Sequence, residues 1–175
     1  MRDKTIIGAI TVLLCMLCLF CQAQSDTDSV KSVPAIVKQQ ADSMGYYFVK
    51  NDFKHYMKYQ HPALIKRLGG EESLIKILNE NVSKKGMKAL SVVTEPPLKI
   101  IVADSNFQCT MQQTTLMEVQ KNKLEIISTL IGISYDNGNT WFFINGSGNQ
   151  SLLKEVLPEM SKDLVIDEQH TRVIK

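Results

Sequence analysis

The order of sequence patterns predicts an α+β fold, with N-terminal helices packed on an antiparallel meander. Three observations carry the class. Between Ser32 and Gly86, apolar residues recur at three- and four-residue spacing. From Lys88 onward they alternate with polar residues instead. The alternating runs are joined by tight turn sequences, of which Asp136-Asn137-Gly138-Asn139 is the clearest. A chain that switches once from helical to extended period segregates its helices from a meander of hairpins.

The first helix is expected to start at Ser32, which can cap it, with Pro34 in its first turn. Val33, Ile36, Val37, Gln40, Ala41, Met44, Tyr47 and Phe48 form its buried stripe, broken by Gln40 alone. Asn51-Asp52 ends that helix and opens a second carrying Phe53, Tyr56 and Met57. His61-Pro62 interrupts it, because the residue before a proline avoids the helical region. A third helix runs from Pro62 to Leu68 and stops at Gly69-Gly70. Glu71-Glu72 suits the positive end of a fourth, which Gly86 closes.

The first strand carries Leu90, Val92 and Thr94 on one face, and Pro96-Pro97 marks a bend or an edge. Leu98, Ile100 and Val102 resume. A long strand follows from Phe107 to Val119, then a turn at Lys121-Asn122-Lys123 and a second long strand from Leu124 to Tyr135. Thr140 to Asn145 closes the meander. Ile126-Ile127 and Trp141 to Ile144 do not alternate, so both sheet faces are expected to be covered there, one by helices and the other by a partner subunit or the C-terminal segment. After Gly148 a short helix ends at Pro158, and the chain from Asp167 reads as a frayed tail.

The N-terminus sets the compartment. Arg2 and Lys4 precede an apolar run from Ile6 to Cys21, followed by Gln22-Ala23-Gln24. That is the pattern of a cleavable export signal, residues 1–23, so the mature chain is expected to be periplasmic or secreted. The alternative is a lipoprotein anchored at Cys21, although Phe20 is a poor residue to precede a lipidated cysteine. Residues 24–31 read as a flexible leader, 32–148 as one domain, and 149–175 as a helical extension and tail. Of the four cysteines, only Cys109 lies outside the signal, which leaves no intramolecular disulfide. Twenty basic residues against eighteen acidic ones give no electrostatic footprint for nucleic acid or an anionic membrane.

The order of elements, the His61-Pro62 connection with Gly69-Gly70-Glu71, the long strands and the closing Trp141-Phe142-Phe143-Ile144 run together resemble the NTF2-like (SnoaL-like, cystatin-like fold) superfamily, in an exported bacterial member. The resemblance covers about Val33 to Asn145. It implies a cone, with helices folded against the curved sheet and a pocket at the wide end. Some relatives are ketosteroid isomerases or dehydratases. Others only bind ligands or proteins, or dimerise through the sheet. In the isomerase relatives a donor tyrosine lies about two turns before the acidic residue opening the second helix, and that position here is Met44. Their carboxylate base would correspond to Glu95, beside Pro96-Pro97.

The candidate residues divide between two readings. If the chain is an enzyme, His61, Tyr47 and Asp104 are the acid–base set, although His61 reads first as a hydrogen-bonded residue at the turn before Pro62. If it binds a small apolar ligand, Tyr47, Phe107, Met111, Trp141 and Phe143 are the pocket candidates, and the same residues suit a packed core. Cys109 alternates with Phe107 and Met111 as a small buried hydrophobe. His55 and His61 lack the spacing of a helical zinc pair, so neither metal nor cofactor is expected. A non-catalytic binding domain, working as a homodimer, is the preferred expectation; a small lyase or isomerase, or a structural dimerisation module, are the alternatives.

Overall fold

The computed structural model describes residues 25–103, 105–148 and 150–174, with side chains from residue 33 onward. Residues 1–23, expected as a signal, with Cys21, and Asp104 lie outside the described residues. The chain divides into two compact units, residues 1–33 and 34–175. The first unit is helical over residues 25–33. The sheet and all the shorter helices belong to the second.

Helix α1 is Ser25–Val49. It starts upstream of Ser32, so residues 25–31, expected as a leader, are helical, and Pro34 lies inside the helix instead of in its first turn. Once a helix has nucleated, each further residue adds a hydrogen bond at little cost. The short helices α2 (Phe53–Met57) and α3 (Pro62–Arg67) follow. Asp52 caps α2 by accepting from the His55 amide. Helix α4 is Glu71–Lys85 and ends on Gly86, whose φ of 61° is left-handed.

The sheet is antiparallel, open and six-stranded. Its strands are β1 (Met87–Thr94), β2 (Ile100–Val102), β3 (Phe107–Val119), β4 (Asn122–Ser134), β5 (Phe142–Asn145) and β6 (His170–Ile174). Helix α5 (Gln150–Val156) lies between the last two in sequence. The path runs β1-β3-β4-β5, with β2 also on β3 and β6 also on β4. Strand β4 is shared end to end: its first half pairs with β6 through Lys123 to Ile127, its second with β5 through Leu130 to Ile133.

Three local expectations change. The tail from Asp167 does not fray; residues 170–174 form β6, held by the ladder and by Arg172 Nη2, 2.6 Å from Glu125 Oε1. The first strand is bulged, with the register shifting between Ala89 and Ser91, so Ala89, not Leu90, is the buried residue before Val92 and Thr94. The β3–β4 turn is Gln120-Lys121, one step earlier than expected, because Val119 pairs with Asn122. Both turn residues have positive φ, 51° and 72°. That is the type I′ geometry favoured by right-handed strand twist, filled here by residues poorly suited to it. Replacing Gln120 with Asn and Lys121 with Gly should raise stability by about 1 kcal/mol. A urea midpoint that does not rise would show that the turn carries no such strain.

Each face of the sheet has its own cover. Residue α1 Gly45 approaches β1 so closely that a Cβ there would lie 2.8 Å from Val92 Cγ1. On the other face, Ile131, Ile133 and Ile144 pack with Leu153, Val156 and Leu157. The C-terminal segment, one of the covers expected for that face, packs there. Side-chain amides fasten both layers. Gln40, the polar break in the α1 stripe, donates to the Asn139 carbonyl and accepts from the Trp141 amide, both at 2.8 Å. Gln108 donates to the Glu159 carbonyl at 2.9 Å and accepts from the Ser161 amide at 2.8 Å.

Candidate functional site

A cavity of about 410 Å³ lies between α1, the sheet and the start of α5. Its floor is Gln113, Thr115 and Met117 of β3 with Ile126, Ser128 and Leu130 of β4. These are alternate residues of paired strands, so they share one face, and Gln113 stands opposite Ser128. Helix α1 supplies Met44, Gly45 and Phe48, and the α2 region supplies Tyr56 and Gln60. Asn145 at the end of β5, Gly148 after it and Gln169 before β6 complete the rim where β4 changes partners.

The lining is apolar with a few neutral polar groups. Among the described residues, no Asp, Glu, Lys, Arg or His lines this cavity. Its one titratable group is Tyr56, whose phenol burial pushes up to about 12, so it stays neutral. No described group hydrogen bonds to the Tyr56, Thr115 or Ser128 hydroxyls. Gln60 spends its amide N–H on Met44 Sδ at 3.2 Å, and Gln113 donates to Thr94 Oγ1 at 3.2 Å. Polar atoms on the wall therefore retain hydrogen-bonding capacity.

The pocket residues expected from sequence lie elsewhere. Trp141 and Phe143 are fully buried in the core, and Gly132 is what admits them: a Cβ there would lie 3.2 Å from each ring and 3.1 Å from Cys109 Sγ. Met111 is 2% exposed, and Phe107 stands at the start of β3, paired with Val102. Neither lines the cavity. Tyr47 stacks on His55 at 5.0 Å and on Tyr59 at 6.1 Å, also outside it. Burial raises the Cys109 thiol to about 12, which keeps it protonated and unreactive. Glu95 sits by Pro96 and Pro97, in a separate cleft.

His61 belongs to a different constellation. Its contacts are with Tyr135 and Phe142, whereas those of Tyr47 are with Tyr46, His55 and Tyr59. The two members of the expected acid–base set that are described do not meet. Tyr135 donates its hydroxyl proton to Glu159 Oε1 at 2.7 Å. His61 Nε2, 2.9 Å from the same hydroxyl, must then be the donor in that pair. This leaves Nδ1 as a buried lone pair with no partner. His61 stands at the N-terminus of α3 but makes no side-chain capping bond.

Protonating His61 would place an N–H at Nδ1 with nothing to accept it. Burial accordingly lowers its pKa, with Glu159 pulling weakly the other way. The unfolded histidine protonates near its ordinary 6.5, the folded one only at lower pH. Between those values the unfolded state binds more protons. The contribution of His61 is thus complete above about pH 6.5 and declines as pH falls toward the depressed value. Urea titrations across that window should show stability decreasing with acidity, and His61→Gln should flatten the slope. An unchanged slope in the variant would mean that other groups cause it.

Compared with known protein families, curated proteins and solved structures, the chain matches none. Among the described residues, no cluster of three or more His, Cys, Asp or Glu is placed to hold a metal, and no helix is long and apolar enough to cross a membrane.

Proposed function

We propose that this chain is an exported NTF2-like domain that binds a small apolar ligand without transforming it. The observation that carries the reading is the cavity itself. Its volume, about 410 Å³, falls within the ~300–1,000 Å³ usual for small-molecule sites. An apolar wall with a few convergent polar groups is the composition of such sites. Helix α1 on one face of an open antiparallel sheet, with the cavity beneath it, supports the cone that the sequence resemblance implies.

Catalysis of the isomerase or dehydratase kind needs a base within reach of the bound substrate. The described lining supplies none, and Met44 occupies the position where the isomerase donor would stand. His61 is committed to Tyr135, outside the lining. A purely structural module predicts a closed interior, which a cavity of this size does not favour. The reading also includes a homodimer and export, tested by light scattering and by the mature N-terminus of protein recovered from cells.

Nile red, a neutral apolar dye, tests the binding reading. Saturable one-to-one fluorescence enhancement is expected, with its loss in Thr115→Trp, which fills the floor. Folding of the variant is checked by circular dichroism. Binding that is absent from the parent, or unaltered in the folded variant, would remove the reading.

A further inference from the structure

We infer that the ligand is electrically neutral and carries a hydroxyl or carbonyl group on an otherwise apolar body. This deepens the binding reading above and rests on it. The inference comes from where the unspent polar atoms lie. Gln113 and Ser128 stand opposite one another on β3 and β4, with Thr94 of β1 behind Gln113, so they form one polar rung across a floor in which Thr115 is the other polar residue. Ser128 is 6% exposed, and Gln60, on the helical side, is 8% exposed. The Ser128 hydroxyl has no described partner, and the Gln60 carbonyl oxygen has none either.

A ligand that displaces water from these groups must replace the hydrogen bonds they make to it, since leaving them unmade costs more than making them gains. Serine and tyrosine hydroxyls both donate and accept, while the Gln60 and Gln113 oxygens accept. A hydroxyl-bearing ligand answers both kinds of partner, and a carbonyl answers the donors. A carboxylate or an ammonium group brought to the same rung would lose its hydration and meet no opposite charge. Tyr56 cannot compensate, because its phenol stays neutral until strongly alkaline pH.

Octan-1-ol and octanoate share a chain length and differ in head-group charge. Calorimetric titration of the full mature chain with each, at about pH 8 and about pH 5, separates the outcomes. The alcohol is expected to bind at least about tenfold more tightly than the carboxylate at the higher pH. The gap should narrow at the lower pH, where much of the acid is neutral. Equal or tighter octanoate binding at the higher pH would overturn the inference and leave the binding reading standing. If neither probe binds while Nile red does, the inference fails alone. If nothing binds, both fail.

Discussion

Replacing Trp141 with alanine is expected to lower the unfolding free energy by about 3–5 kcal/mol. The indole is fully buried. It packs over Gly132 and donates its Nε1–H to the Gly138 carbonyl at 2.9 Å, so it also ties down the hairpin turn. Truncation removes the ring, leaves a cavity and frees that carbonyl. Gly132→Val should be damaging from the opposite direction, since even the first added carbon would lie within 3.2 Å of three neighbours. Urea unfolding measures both. A loss below about 1 kcal/mol for Trp141→Ala would mean that the indole borders open space after all and belongs to a pocket.

Gln108→Leu should cost about 2–4 kcal/mol, a large effect for a near-isosteric change. The residue is 1% exposed, and its amide serves three partners: the Asn106 side chain, the Glu159 carbonyl and the Ser161 amide. Leucine keeps the volume but strands those groups. Because two of them belong to the C-terminal segment, the loss should be local as well as global. Limited proteolysis is expected to cut between residues 157 and 167 faster in the variant. Unaltered cleavage there, with unchanged stability, would show that apolar packing alone holds the segment.

The parts legible in the sequence were those with local causes. Pro62, the Gly69-Gly70 stop, the Gly86 cap and the Asp136–Asn139 turn each act through their own backbone, and each marks an element boundary where expected. The unread parts depend on distant partners. Strand β6 exists because β4 has an open edge at residues 123–127, far back in the chain. The roles of Gln40 and Gln108 require knowing which loop and which segment pass over them. His61 stands out in the sequence, but Tyr135 and Glu159 lie 74 and 98 residues away and carry no motif.

A pocket is expected from the resemblance, but the aromatic residues do not mark its lining. Large aromatic residues attract attention as pocket linings, yet Trp141 and Phe143 fill space. The informative signal was the reverse. Gln113 and Thr115 share the phase of Cys109 and Met111 along β3, so polar side chains occur where the strand faces inward. Polar inward positions, opposite Ser128 on the next strand, indicate an interior that is not completely packed by its own residues.

Methyl NMR of methionine-labelled protein tests the central claim most directly. Met44 and Met117 line the cavity, while Met57 and Met160 do not. Titration with octan-1-ol is predicted to move the Met44 and Met117 methyl resonances saturably and leave those of Met57 and Met160 in place. Movement of Met160 without Met44 at saturating alcohol would contradict the account and place the function outside this cavity.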